Sequence, residues 1–148
     1  MNAYGRRVTV NMPFDVANDE LLNALQDRGV ARLGHTDVDD FLTRTVHHDF
    51  RRYAWFEVAI PDVVLDALRD DLCVGAVLPT TIALFEVADG QTVVVVSEPF
   101  AALGSDAGWR REHPRLAALA DRTCDRLGRV LMDLERASRT FTAWHSAA

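Results

Sequence analysis

The sequence contains no lysine and only two cysteines, Cys73 and Cys124, among its 148 residues. All 16 basic residues are therefore arginine, and 22 acidic residues outnumber them, for a formal net charge of −6 at pH 7. A net negative charge repels nucleic-acid phosphates and anionic lipid surfaces, so we expect neither as a partner. The cysteines form no CxxC pair, which indicates neither a zinc site nor a redox motif, and we expect no disulfide.

Long apolar runs and familiar catalytic motifs are lacking as well. The apolar runs are far shorter than the roughly 20 residues of a membrane span. The first ten residues, MNAYGRRVTV, lack the apolar segment of a secretory signal, so a cytoplasmic location is expected. The sequence has no P-loop, GxGxxG, GxSxG or HExxH motif, and we expect neither a cofactor nor a metal.

The composition that remains is that of one globular domain over residues 1–148. Hydrophobic residues make up 49% of the chain and charged residues 26%, enough apolar material for an independent core. Neither a repeat nor an interdomain linker is visible.

Alternating and helical patterns of apolar residues predict, in order, a strand over Arg6 to Asn11, a helix over Phe14 to Arg28, a strand over Val30 to His35, a helix capped by Asp37, a strand over Tyr53 to Ile60 and a helix from Pro61 to about Leu72.

The Asp89-Gly90 pair predicts a tight hairpin between strands Leu78 to Val87 and Gln91 to Ser97. Both faces of these strands are apolar, so something must cover both. Residues 98–112 are predicted to form a loop with one helical turn. A long helix from Pro114 carries an apolar stripe at alternating steps of four and three, which indicates packing on the sheet: Leu116, Ala120, Thr123, Leu127, Val130, Leu134, Ala137, Phe141 and Trp144.

Four segments in this order resemble DUF302, a family of unknown function. They are VTVNMPFDVANDELLNALQDRGV, HTDVDDFL, YAWFEVAIPDVVLDAL and VGAVLPTTIALFEVADGQTVVVV. The resemblance covers about residues 8–137 and leaves 138–148 as a C-terminal extension. It implies an α+β, TBP-like fold, an antiparallel sheet packed against helices with a long C-terminal helix. It also implies a tendency to form homodimers, with no assigned activity.

The sequence departs from the family pattern at Leu78-Pro79-Thr80-Thr81. Many relatives carry Leu-Pro-Cys followed by Asn there, and a cysteine at a position near Val58. Any reaction of relatives that depends on those cysteines is therefore not expected in this chain. Cys73 and Cys124 are expected to behave as buried, small apolar residues.

The strand from Tyr53 to Ile60 supplies the main candidate ligand site. Tyr53, Trp55 and Glu57 share one face, and Thr80 and Thr81 could add hydroxyl groups. If the face is enclosed, Glu57 would anchor a ligand or carry a proton; if it is open, Glu57 is a hydrated surface residue.

Histidines and carboxylates concentrate in a second window: His35, Asp37, His47, His48 and Asp49. A metal site is one interpretation, but the spacing matches no ligand pattern and a solvated loop is favoured. The alternative is that His47 or His48 acts as a general base, because histidine exchanges protons near neutral pH.

These features favour a non-catalytic homodimeric domain whose sheet and long helix enclose a modest apolar pocket, for a small apolar or aromatic ligand or for contact with a partner protein. The first alternative is an enzyme that uses Glu57 with His47 or His48 as acid and base. The second is a domain that acts only by oligomerising. The length of the helical stripe favours a second subunit over part of the sheet or over Phe141 and Trp144 at the helix end.

Overall fold

One five-stranded antiparallel sheet organises the computed structural model, which describes residues 4–147. The strand order is β1-β5-β4-β3-β2. The elements along the chain are β1 (Arg6–Val10), α1 (Phe14–Asp27), β2 (Ala31–Asp37), α2 (Val38–Val46), β3 (Tyr53–Ala59), α3 (Pro61–Asp70), a 3-10 turn (Leu72–Ala76), β4 (Thr80–Ala88), β5 (Gln91–Ser97), α4 (Pro99–Leu103), α5 (Ala107–Glu112) and α6 (Pro114–Ser146). The predicted class, an antiparallel sheet packed with helices and ending in a long helix, is confirmed.

The helices cover one face of the sheet only. Period-two alternation along β3 buries Ala54, Phe56 and Val58 and leaves Trp55 and Glu57 exposed. Inward apolar residues of β1, β3, β4 and β5 line up on this same side, whereas β2 has no buried residue. The inward residues join residues of α1, α3, α4 and α6 in a single hydrophobic core. We call the uncovered side the open face; it carries residues such as Tyr53, Trp55 and Phe85.

The helix α6 adds to this cover, because its apolar stripe is buried in the core over about the first six turns. Leu116, Leu127 and Leu134 are each at most 2% exposed. Beyond that point the stripe emerges: Phe141 is half-buried and Trp144 is 78% exposed. Among residues 4–147, the structure contains no helix that is both long and apolar enough to cross a membrane.

The segment 98–112 forms two short helices, where one helical turn in a loop was predicted. Phe100 in α4 is 2% exposed and belongs to the core. Because α4 and α5 both contact α6, this segment lies on the covered side of the sheet. The apolar residues on both faces of β4 and β5 predicted cover on both sides. On the second side Val93 is 0% exposed, and Phe85 and Val95 are half-buried.

Two smaller predictions need correction. Asp37 precedes α2 as expected, but its side chain makes no capping hydrogen bond; its Oδ1 lies 3.1 Å from Nε2 of His35 instead. Cys73 was expected to be buried and is exposed, whereas Cys124 is partly buried. Burial raises the pKa of the Cys124 thiol, which keeps it protonated and unreactive.

The Asp89-Gly90 hairpin is confirmed, with Gly90 at φ 70°.

An arginine fixes α6 to the edge strand β1. Arg6 Nε donates a hydrogen bond of 2.6 Å to Glu98 Oε2, its Nη2 donates to Glu98 Oε1, and Nη2 also donates to the Cys124 carbonyl at 2.8 Å. The guanidinium lies against α6 where Gly128 has no side chain: a Cβ there would stand 2.7 Å from Arg6 Nη1. The glycine therefore makes room for the ion pair.

We expect Gly128→Ala to lower the free energy of unfolding by about 1 kcal/mol, because the methyl group displaces a guanidinium held by three charge-assisted hydrogen bonds. In an Arg6→Ala background the same change should raise it, by about 1 kcal/mol, since alanine is the better helix former once the space is free. Urea unfolding of the four proteins measures both signs. Stabilisation by Gly128→Ala in both backgrounds would contradict this packing.

Candidate functional site

The predicted ligand residues Tyr53, Trp55, Glu57 and Thr81 all lie on the open face. The register pairs Glu57 with Thr81, Trp55 with Ala83, and Tyr53 with Phe85 across β3 and β4. Because directly paired residues of neighbouring strands project to the same side, these side chains form adjacent rows. The structure thus brings four of the five predicted residues together.

Thr80 is the exception. It pairs with Val58 on the covered face and is 3% exposed. Its hydroxyl therefore contributes nothing to the open face. The helix α6 also lies on the covered side, so it does not enclose these residues with the sheet as the sequence-based interpretation expected.

Aromatic rings form the centre of the open face. Tyr53 stacks on Phe85 with ring centroids 5.1 Å apart and planes 9° from parallel. Trp55 meets the edge of Tyr53 at 6.3 Å, and Phe50 lies 6.4 Å from Tyr53 as well. Such pairs each add about 0.5–1.5 kcal/mol beyond area burial, so the rings hold one another in place. Trp55 nevertheless remains 45% exposed.

Beside these rings the open face has a shallow depression of about 580 Å³. Its floor is apolar, and hydroxyl groups and one guanidinium stand at its margin. The residues that line it are Tyr4, Arg7, Tyr53, Thr81, Ala83, Phe85, Val95 and Ser97. An apolar floor with a few polar groups at the edge is the usual make-up of a small-molecule site.

Sequence reasoning missed Arg7 and Phe85 as members of this site. The sequence did contain a signal for Arg7: it precedes Val8, so it lies on the strand face opposite to Val8 and Val10. What could not be read was that β1 pairs with β5, at the register Arg7 to Val95. That pairing joins residues far apart in the sequence and places Arg7 on the same face as Tyr53.

Arg7 and Glu57 are the two charged side chains that the five strands present on the open face. Both are exposed, and within the described chain neither makes a hydrogen bond or an ion pair. Arg7 stands on the edge strand β1, and Glu57 stands on β3, three strands away. The open face is thus apolar in the middle, positive near one edge and negative toward the other.

The structure does not bring His47 or His48 to Glu57. The helix α2 begins level with the start of β3, where Asp39 Oδ1 accepts a hydrogen bond from the Tyr53 amide at 3.2 Å. Glu57 lies four residues, about 13 Å, further along the strand. His47 instead ends α2 in the left-handed conformation, at φ 53°.

No group of three or more His, Cys, Asp or Glu side chains that could hold a metal ion occurs within residues 4–147. His35 and Asp37 contact each other, and His35 stacks on Phe56 with centroids 4.7 Å apart. His47, His48 and Asp49 do not join this pair in a ligand set. These five residues therefore do not form one metal-binding group.

The predicted dimer contacts lie elsewhere, in a groove of about 680 Å³ between α1 and the end of α6. Phe141 and Trp144 line it, and Phe141 stacks on His145 at 3.9 Å. An ion-pair network lies at its margin: Arg28 Nε donates to Asp133 Oδ2 at 2.7 Å, and Arg136 Nη1 donates to Asp133 Oδ1 at 3.2 Å.

Comparison with known proteins identifies the family. A family model described as "Domain of unknown function DUF302" matches residues 6–134. The chain belongs to the DUF302 family. The match covers all five strands and most of α6.

A solved DUF302 structure shares the fold. It is described as an uncharacterized conserved protein DUF302 from Bacillus stearothermophilus, and it is 21% identical in sequence with a TM-score of 0.73. The alignment covers 90% of this chain and 99% of that one. No curated protein matches this DUF302 chain.

The ion pair of Asp133 generates a pH prediction. The hydrogen bond from Arg28, then its charge and that of Arg136, hold the pKa of Asp133 below its usual value of 3.8. A carboxyl group with a lowered folded-state pKa stabilises the fold above its unfolded pKa, and this contribution disappears as the pH falls through the folded value. We expect Asp133→Asn to destabilise the protein at pH 7 by less than about 1 kcal/mol, because the pair is partly hydrated.

The difference between wild type and Asp133→Asn should shrink as the pH falls below about 4, as measured by urea unfolding between about pH 7 and pH 3. Asp19→Asn is the matched control, since Asp19 is an exposed residue of α1. A difference that stays constant across this range would show that Asp133 stabilises the helices by something other than its charge.

Proposed function

We propose that this DUF302 domain is a non-catalytic, homodimeric binding domain whose open sheet face takes a small apolar or aromatic ligand. The observation that carries the proposal is the one-sided burial of the sheet. A surface with stacked aromatic rings, on which Trp55 stays 45% exposed, is the kind that soluble proteins keep for binding.

The chemistry of the open face indicates the kind of ligand. The stacked rings of Tyr53 and Phe85 and the flat apolar floor formed with Ala83 suit a planar ring system. The hydroxyl of Thr81 can donate to an oxygen or nitrogen of the ligand.

The enzyme alternative has less support, because Glu57 and the histidines are not adjacent. An acid and base pair must lie within hydrogen-bond reach of one substrate. Glu57 lies within β3, whereas both histidines follow α2 and precede that strand. A domain that only oligomerises is the other alternative; the depression on the open face argues for more than that.

A planar aromatic anion, 8-anilinonaphthalene-1-sulfonate, serves as the probe. Trp55→Ser should reduce its affinity at least about fivefold, because Trp55 flanks the aromatic cluster and each lost stacking contact is worth about 0.5–1.5 kcal/mol. Trp144→Ser is the matched control, since Trp144 is the more exposed tryptophan and lies near the end of α6, away from the open face. Fluorescence titration measures both. Equal losses in the two variants, or none in either, would remove the open face as the binding surface.

Substitutions at the acid and base candidates separate the binding domain from the enzyme. We expect Glu57→Gln to lower retention of a ligand carried through purification, while His47→Ala and His48→Ala leave it unchanged. Native mass spectrometry of the wild type and these variants shows the retained mass directly. Loss on His47→Ala or His48→Ala, with retention in Glu57→Gln, would favour the enzyme.

A further inference from the structure

The charge pattern of the open face is complementary to itself. Arg7 and Glu57 are three strand spacings and two residues apart, which corresponds to about 14 Å across the sheet and about 6.6 Å along it. A two-fold axis in the plane of the face, perpendicular to the line that joins them and midway along it near Ala83 and Val95, exchanges the two positions. In a symmetric dimer of this kind a residue that contacts another is contacted by it in return.

We propose that a second copy of this chain packs on the open face about that axis, so that Arg7 of each copy pairs with Glu57 of the other. The inference rests on the proposed function, in which the open face is the binding surface. It adds that a second copy of the chain lies over that face. The two unpaired charges would form two equivalent ion pairs, one at each side of an apolar centre.

The apolar centre between the charges suits the same partner. Face-to-face sheets pack through apolar side chains at a spacing of about 10 Å, and Ala83 and Val95, which lie next to the axis, provide such side chains here. Trp55 stands two residues before Glu57 on the same strand, so the incoming Arg7 would also meet the indole ring, a favourable contact for a guanidinium.

The second copy also completes the ligand site. The depression is open on the side away from the sheet, so a planar ligand lying on Tyr53 and Phe85 would keep one face in water. Small-molecule sites bury most of the ligand surface. A second sheet placed over the first would cover that side, with the hydroxyls of Thr81 and Ser97 at the margin.

The helix end is a competing surface. Trp144 is exposed there, but Phe141 already stacks on His145 and packs against the core. The groove beside it is bordered by a network in which Asp133 is already paired with two arginines. It therefore lacks, within the described residues, the reciprocal unpaired charges that the open face offers to a second copy.

Charge reversal with mixing tests the arrangement. By light scattering at micromolar concentration, the wild-type protein should have twice the 16.5 kDa of one chain. Arg7→Glu and Glu57→Arg should each weaken dimerisation at least about tenfold, since each places two like-charged pairs in the dimer. An equimolar mixture of the two variants should regain the dimer, because each of its ion pairs then joins a carboxylate to a guanidinium. The double variant should regain it also.

Two reversals away from the face are the controls. Arg129→Glu and Glu135→Arg change exposed residues of α6 and should leave the dimer intact. Recovery on mixing also shows that the single variants are folded. Single variants that remain dimeric, or that lose the dimer without recovery on mixing, would overturn the inference, and so would a dimer lost only on Trp144→Ser.

The outcome for the ligand is read separately. A wild-type monomer that binds 8-anilinonaphthalene-1-sulfonate with dependence on Trp55 would overturn the dimer of the open face and leave the binding surface standing. A monomer whose probe binding is insensitive to Trp55 would overturn both. A dimer that recovers on mixing, with probe binding that Trp55→Ser does not change, would retain this interface and overturn the ligand site.

Discussion

Burial of one face of the five-stranded sheet beneath α1, α3, α4 and α6 is the interaction on which the rest of the structure depends. Leu116, Leu127 and Leu134 together with the inward residues of the strands form one continuous core, and each buried aliphatic side chain contributes about 1.5–3 kcal/mol. The hydrogen bond from Arg6 to the Cys124 carbonyl joins α6 to the edge strand β1. Because the helices of the core lie on one side, the opposite side is the surface for which we propose binding.

The sequence predicted the elements well because their signals are local. The alternation of β3 and the Asp89-Gly90 turn depend on neighbouring residues alone, so both could be read directly. The path of residues 98–112 could not be read this way. Phe100 enters the core through contacts with distant residues, and a short helix has too few turns to show a period.

The residues of the candidate site likewise fall into those that local patterns predict and those that depend on distant contacts. Tyr53, Trp55 and Glu57 share a face because they alternate within one strand, and that could be predicted. Thr80 and Thr81 are adjacent, so only one of them can join that face, and the choice depends on the register with β3. The addition of Arg7 requires the pairing of β1 with β5, which no local pattern reveals. The order and register of the strands, which depend on distant residues, could therefore not be predicted from the sequence.

The most direct test of the account is the accessibility of the open face as the protein concentration rises. A soluble paramagnetic agent broadens the NMR signals of exposed side chains, so the ring signals of Trp55, Tyr53 and Phe85 report on the face. The account predicts that these signals broaden in dilute protein and become protected at high concentration, while the signals of Trp144 broaden throughout. Protection of Trp144 with an open face that stays accessible at every concentration would contradict it.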